Sequence, residues 1–243
     1  MADLTQRQIN ILKHLAEEFI ETAEPVGSDF LDKKFNFGVC PATLRNEMAK
    51  LAQMGYIKKK HASSGRIPTS MGMKFYVRQL MKPKKLSISE EIGAKDKLWE
   101  HRNDFEVMIK EATKELAKRT RQLALVATQQ GGFYAAGMAN LLDEPEFFDI
   151  DVAKTTLALV DQGDFWLKLV EDIFSSANRE EFHLLIGSEL GGEFLEPCGL
   201  VYQDYKAGPY KGIIGIIGPA RLSYDQVVPL VNYFAKLLSE AES

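Results

Sequence analysis

The sequence predicts an α+β protein in two parts: a helical N-terminal part with a β-hairpin, and a C-terminal part of strands and helices behind a long helix. Apolar residues recur at helical spacing over residues 6–22 and 41–54, but alternate weakly over residues 198–217, as strands do. Charge separates the two parts, because residues 1–85 contain 15 basic and 8 acidic residues, whereas the remainder contains 15 basic and 26 acidic residues. A chain of 243 residues is long enough to bury two cores.

The first predicted helix covers residues 6–22 and begins with a capping box, in which Thr5 is followed three residues later by Gln8. A short second helix, residues 29–34, is expected to follow Ser28, which can cap it. The face of the first helix that we expect to be buried consists of Ile9, Leu12, Leu15, Ala16, Phe19 and Ile20.

The third predicted helix covers residues 41–54, with Pro41 at its first position and Gly55 as its left-handed stop. Its apolar stripe is Leu44, Met48 and Leu51. The other faces carry side chains of the kind that read base edges, and the DNA-binding candidates among them are Thr43, Arg45, Asn46 and Lys50.

Residues 56–68 read as a strand, a polar turn and a return strand, and Thr69 can cap a further helix at about residues 70–82. A helix followed by a basic hairpin is the layout of a winged helix-turn-helix, whose helix enters the major groove while the hairpin follows the backbone or the minor groove. The remaining DNA-binding candidates are Ser28, Lys58, Lys59, Lys60, His61, Ser63, Ser64, Gly65 and Arg66.

Charge favours DNA binding over the alternative of an ordinary amphipathic helix and a solvated loop. Residues 44–85 contain eleven lysines and arginines and a single acidic residue, Glu47. A basic module joined to an acidic body is typical of DNA-binding proteins. No apolar run approaches the ~20 residues of a membrane span, and the N-terminus does not resemble a signal peptide. The two cysteines, Cys40 and Cys198, fit thiols in a reducing compartment, so we expect a cytoplasmic protein.

Catalysis is not expected, because the sequence lacks a nucleophile elbow and the glycine-rich run at 212–221 lacks dinucleotide-binding spacing. No Cys/His cluster predicts a zinc site, and no cofactor is expected. The acidic run at 143–151 could bind a cation, although a solvated or partner-facing loop is favoured. Arg221 could contact a ligand or form an ion pair, and the sequence leaves both open.

Three phrases, EPVGSDFL, VCPATLRNEMAKLAQMGYI and HASSGRIPTSMG, resemble the N-terminal domain of the bacterial heat-inducible transcription repressor HrcA from Leu4 to about Val77. The resemblance implies a homodimeric repressor that binds an inverted-repeat operator upstream of chaperone genes; it leaves open whether a chaperonin contacts the protein. By position it places Thr43, Arg45 and Asn46 on the recognition helix, and Ser64, Gly65 and Arg66 on the wing. Cys40 stands where serine is expected, which weakens this helix start by roughly 1 kcal/mol.

The C-terminal part also resembles HrcA, in GGFYAAGMANLLDEPEFFD at residues 131–149 and in the final YKGIIGIIGPARLSYDQVVPLVNYFAKLLS. This resemblance implies a GAF-like sensor fold. Family members are usually longer, with an inserted domain before the segment that matches residues 131–149, so the chain is identified as a shortened member. The expected parts are a winged-helix domain at 1–83, a helical connector and dimerisation region at 84–130, and a shortened GAF-like domain at 131–243.

The connector is predicted to be a long amphipathic helix that starts at the capping box of Ser87 and Glu90 and is broken once, near Gly93 or Asn103. Its apolar stripe is expected to pack within its own domain or to form a dimer seam; the two are compatible, and the sequence does not separate them. The candidate dimer residues are Trp99, Phe105, Ile109, Leu116 and Leu123, with exposed apolar surface of the shortened domain as a second contribution.

Farther along, the patterns predict a helix at 155–174, a strand at 182–186, a hairpin that pairs 198–205 with 210–217, and a last helix from 223 or 224. Together these features favour a sequence-specific DNA-binding repressor that occludes a promoter. The alternative is a winged-helix protein that binds structured RNA or another partner and has no sensing role.

Overall fold

The structure is a computed structural model, and it describes residues 4–60, 65–176 and 180–241. The chain forms two compact units, Met1–Lys82 (unit 1) and Pro83–Ser243 (unit 2). No helix among the described residues is both long and apolar enough to cross a membrane.

Unit 1 consists of helices and one β-hairpin. Its elements are α1 (Gln6–Thr22), α2 (Ser28–Phe35), α3 (Pro41–Gln53), β1 (Ile57–Lys59), β2 (Arg66–Pro68), α4 (Ser70–Phe75) and a π-helical turn (Tyr76–Leu80). The predicted capping box at the start of α1 is present, because Gln8 N–H donates to Thr5 Oγ1 at 3.3 Å and Thr5 N–H donates to Gln8 Oε1 at 2.9 Å. The stop after α3 is present as well, since Gly55 adopts a φ of 80°.

Two details of unit 1 differ from the predictions. Helix α2 begins at Ser28 itself, with Gly27 as the N-cap, and the Ser28 hydroxyl donates to Asp29 Oδ1 at 3.3 Å instead of capping the helix. The helix predicted over about 70–82 is α-helical only to Phe75 and then changes to the wider π-helical turn.

One apolar core holds α1, α2, α3 and the hairpin of unit 1 together. Helix α3 contributes its predicted stripe, and Tyr56 and Ile57 contribute from the start of the hairpin. Because this stripe faces inward, the polar side chains of α3 face outward. The buried members of the core are Ile11, Leu12, Leu15, Val26, Leu31, Leu44, Met48, Leu51, Tyr56 and Ile57.

Unit 2 is built on an antiparallel five-stranded sheet in the order β4-β3-β7-β6-β5. Its helices are α5 (Ile88–Trp99), α6 (Phe105–Thr120), α7 (Ile150–Val160), α8 (Gly163–Ser175) and α9 (Tyr224–Ser239). Its strands are β3 (Leu123–Thr128), β4 (Phe133–Ala136), β5 (His183–Ile186), β6 (Cys198–Ala207) and β7 (Tyr210–Pro219). Short 3₁₀ turns cover Met138–Asp143, Pro145–Phe148, Gly187–Leu190 and Glu193–Leu195.

The predicted connecting helix is present with one break, but it ends earlier than predicted. The chain forms α5 and α6, separated by residues 100–104, so the break lies at the Asn103 alternative. Helix α6 ends at Arg121, which adopts a left-handed φ of 52°. Leu123 and Val126, expected in the helical stripe, lie in β3. Since β3 is buried on both faces, its side chains form a continuous apolar run that lacks strand alternation.

The candidate dimer stripe packs inside unit 2. Phe105 is 7% exposed and Ile109 is 3% exposed, while Leu116 and Leu123 are fully buried. Trp99 is half-buried. The interpretation of intramolecular packing is therefore the correct one for four of the five residues, and these four do not form a surface seam.

The later elements follow the sequence predictions with one change. The helix expected over 155–174 is divided into α7 and α8. The predicted hairpin is present as β6 and β7, with Lys206 opposite Lys211 beside its turn.

Candidate nucleic-acid interface

Helix α3 presents one polar face because its apolar stripe anchors the opposite face in the core. Arg45, Asn46 and Lys50 are exposed, and Thr43 is half-buried. The structure therefore keeps the four candidates of this helix outside its buried stripe. A face rich in guanidinium, amide and ammonium groups has the donors and acceptors that contact base edges and phosphates.

The start of α3 has an unusual residue at its N-cap. Cys40 occupies the N-cap position. Within the described part of the chain, its side chain forms no capping hydrogen bond at the start of α3. Its Sγ lies 3.2 Å from Thr43 Oγ1, and this contact is the main reason why the pKa of the Cys40 thiol is lowered. Thr43 thus has an intramolecular partner at the helix start.

Glu47, the acidic residue of the basic segment, ties α3 to α1. Gln8 Nε2 donates to Glu47 Oε2 at 2.9 Å, and Lys50 Nζ donates to Glu47 Oε1 at 2.8 Å. The Lys50 ammonium, with Gln8 assisting, lowers the pKa of the Glu47 carboxyl. No role was assigned to Glu47 from the sequence. Its position as the single acidic residue among eleven lysines and arginines could have indicated a structural ion pair.

Arg45 also has an acidic partner that the sequence reading missed. Its Nη2 donates to Asp29 Oδ1 on α2 at 3.4 Å. The two side chains are 67% and 69% exposed. The partners are 16 positions apart in the chain and meet only because α2 packs against α3.

The hairpin presents lysines beside this helix. Lys58 lies opposite Ile67, and Lys59 lies opposite Arg66. Lys58, Lys59 and Lys60 are exposed. The candidates His61, Ser63 and Ser64 lie outside the described residues.

Gly65 and Arg66 have a structural role at the base of the hairpin. Arg66 and Val26 exchange two backbone hydrogen bonds, each of 2.8 Å. A Cβ on Gly65 would lie 2.5 Å from the Val26 carbonyl carbon, so this close backbone approach requires glycine. The Arg66 side chain is half-buried and its Nε atom is buried, so Arg66 is less exposed to solvent than the three lysines of the hairpin.

The segment after the hairpin is fixed by Thr69. Its Oγ1 accepts from Gly72 N–H at 3.1 Å, as the N-cap of α4, and donates to the Gly55 carbonyl at 2.6 Å. A Cβ on Gly72 would lie 1.9 Å from the Tyr56 carbonyl oxygen. These contacts explain why threonine and glycine stand at these positions, and they hold the hairpin on α3.

Arg221 in unit 2 forms a cluster of ion pairs. Of the two alternatives that the sequence left open, a ligand contact or an ion pair, the structure shows the ion pair. Its Nη2 donates to Glu144 Oε2 at 2.8 Å, and its Nε donates to Glu146 Oε1 at 2.7 Å. Gln122 Nε2 donates to the other oxygen of Glu144 at 2.7 Å. Within the ranges that the structure describes, no His, Cys, Asp and Glu side chains are grouped so that they could hold a metal ion.

Comparison with known proteins gives a consistent family. Residues 78–228 match the family model described as the HrcA protein C terminal domain. The chain is 28% identical to the heat-inducible transcription repressor HrcA of Pelotomaculum thermopropionicum, over 98% of this chain and 96% of that one. It is 26% identical to the HrcA of Bacillus pumilus, over 99% of this chain and 98% of that one.

A solved structure described as a hypothetical protein at 2.2 Å resolution has a similar fold, with a TM-score of 0.73 and 20% sequence identity over 98% of this chain and 97% of that chain. The alignment with the Pelotomaculum protein spans 339 positions, whereas this chain has 243 residues. That relative therefore carries residues that this chain lacks. The family model covers more than half of the chain, and the chain belongs to the HrcA family as a shortened member.

Proposed function

We propose that this protein is a sequence-specific DNA-binding transcriptional repressor, in which unit 1 is a winged helix-turn-helix domain and α3 is its recognition helix. The observation that carries the proposal is the outward face of α3, where Arg45, Asn46 and Lys50 stand next to a hairpin with three exposed lysines. Membership of a family whose relatives are named heat-inducible transcription repressors supports the regulatory role.

The mechanism is occlusion of a promoter. Side chains of α3 contact base edges in the major groove, and the hairpin lysines neutralise flanking phosphates. The acidic charge of the C-terminal part repels DNA, so contact is limited to the basic unit. The operator is expected to be an inverted repeat upstream of chaperone genes, as the family resemblance implies.

We further propose that the protein acts as a homodimer through unit 2, which has a GAF-like fold. One recognition helix reads a single half-site, and two at a fixed spacing read an inverted repeat. Because four of the five predicted seam residues are buried inside unit 2, we propose that dimerisation uses other surface of this unit. The exposed large apolar side chains of unit 2 between residues 138 and 194 include Met138, Leu142, Phe148, Ile150, Leu157 and Phe194.

Selection of binding sites from random duplex DNA tests the proposed function. The full chain is incubated with the pool at physiological salt, and bound sequences are recovered over several rounds. Enrichment of one inverted repeat is the expected result. Absence of enrichment over the starting pool contradicts it, and enrichment from a parallel pool of structured RNA would favour the alternative of an RNA-binding winged helix.

A further inference from the structure

Asp29 on α2 and Arg45 on α3 form an exposed ion pair in unit 1. Arg45 Nη2 and Ser28 Oγ both donate to Asp29 Oδ1, at 3.4 Å and 3.3 Å. The carboxylate Oδ2 takes part in neither contact. We propose that Asp29 is a positioning residue that sets base specificity by holding the Arg45 guanidinium ready for guanine, an inference that rests on the proposed function.

The geometry suits bidentate recognition of a base. A guanidinium carries five N–H donors in a planar fork, and the contact with Asp29 uses one of them. The remaining donors include a pair that matches O6 and N7 of guanine in the major groove. Holding a long side chain in one orientation before binding removes part of the entropy that the side chain would otherwise lose on the DNA.

The charge of Asp29 acts in the same direction. A carboxylate near the DNA backbone is repelled by phosphates, which lowers the affinity for DNA of every sequence. The guanidinium that Asp29 holds is also less available for a phosphate contact. Binding to random DNA is therefore weakened while the guanine contact is retained, and specificity is the difference between the two affinities.

A purely structural role for Asp29 has a different signature. An acidic residue in the first turn of a helix interacts favourably with the helix dipole, so Asp29 could simply stabilise α2. Exposed ion pairs contribute little to folding. If Asp29 acted only on α2, its replacement would change thermal unfolding and affect binding to all DNA sequences equally.

The experiment measures dissociation constants at one fixed salt concentration, for the selected operator, for single-base variants of it and for random duplex DNA. The variants are Asp29→Ala, Arg45→Ala, the double variant, and Asp32→Ala, which removes the same charge from the same helix. Arg45→Ala identifies the base pair that Arg45 reads. We expect Asp29→Ala to reduce discrimination at that base pair about tenfold and to tighten binding to random DNA about threefold. The double variant should discriminate no less than Arg45→Ala, and Asp32→Ala should keep full discrimination.

If Asp29→Ala discriminates between bases at the Arg45 base pair as strongly as the wild type does, the proposal is overturned. If Asp29→Ala does not fold, Asp29→Ser, whose shorter side chain suits a helix start and removes both carboxylate oxygens, gives the same comparison. Failure of the proposed function can be told apart from failure of this inference. If the protein is not a sequence-specific DNA-binding protein, the wild type itself shows no preferred duplex sequence.

Discussion

Gln8 near the start of α1 donates to the Glu47 carboxylate in the middle of α3 at 2.9 Å, across 39 residues of sequence. This bond and the Lys50 contact hold a charge that is only 12% exposed. The packing of α3 against α1 therefore includes an ionised glutamate. Binding and stability should both respond to its protonation.

Replacing Glu47 by Gln should destabilise unit 1 at neutral pH by about 1 kcal/mol, because a charged acceptor of two hydrogen bonds is lost. The folded-state pKa of Glu47 is lowered from 4.5, so its stabilisation is present above that pH and is lost as the pH falls through the folded-state pKa. Urea unfolding of the wild type and the variant should differ at pH 7, and the difference should shrink as the pH falls below 4.5. Glu24→Gln, at an exposed position, is the control, and a pH-independent difference for Glu47→Gln would contradict the account.

Alanine at Gly65 or Gly72 should each destabilise unit 1 by about 3 kcal/mol, because the added Cβ meets backbone atoms that cannot move aside. Gly163→Ala is the matched control, since nothing lies within 4 Å of its Cβ position. Thermal unfolding of the three variants checks this expectation. A Gly72→Ala variant as stable as the control would show that the approach to Tyr56 is not tight in solution.

Arg221→Met should destabilise unit 2 by about 3 kcal/mol, because it leaves the Glu144 and Glu146 carboxylates together and largely desolvated. The Arg221 side chain is 12% exposed. Adding Glu144→Gln and Glu146→Gln to Arg221→Met should recover part of the loss, since the uncompensated charges are then gone. Urea unfolding measures both effects, and a triple variant no more stable than Arg221→Met would contradict a charge effect.

Glutamate at Ile109 and at Phe148 should have opposite consequences. Ile109 is 3% exposed, so Ile109→Glu should unfold unit 2, whereas Phe148 is 74% exposed and Phe148→Glu should leave it folded. If the proposed dimer uses the apolar surface around Phe148, sedimentation should show a wild-type dimer and a folded Phe148→Glu monomer. Circular dichroism separates unfolding from dissociation, and a Phe148→Glu dimer would exclude this surface from the interface.

Alanine at Lys58 or Lys59 should weaken binding to all DNA sequences together. Each removed phosphate contact should reduce the slope of log K against log salt by about one unit while the preference for the operator is retained. Lys168→Ala, at an exposed position of α8, should leave the slope unchanged. Filter binding over a range of salt concentrations measures the slope, and an unchanged slope for Lys58→Ala would remove that residue from the interface.

Local signals in the sequence predicted the elements of unit 1 well, because capping boxes, the proline at position 41 and the glycine at position 55 act over a few residues. The sequence pattern wrongly predicted a helix at the start of β3, because a strand buried on both faces lacks the alternation of apolar and polar residues. The Asp29–Arg45 and Gln8–Glu47 contacts were missed for another reason. They join helices that are distant in sequence, and no spacing rule states which polar side chains meet after packing.

The two backbone hydrogen bonds between Val26 and Arg66 form an isolated antiparallel bridge that joins the base of the hairpin to the segment between α1 and α2. The base of the hairpin is therefore tied to the rest of unit 1, and the distance between Lys58, Lys59 and α3 is constrained by these contacts. A DNA site that does not match this distance has to change its own groove width or curvature. Base pairs that no side chain touches would then influence affinity through the ease with which they deform.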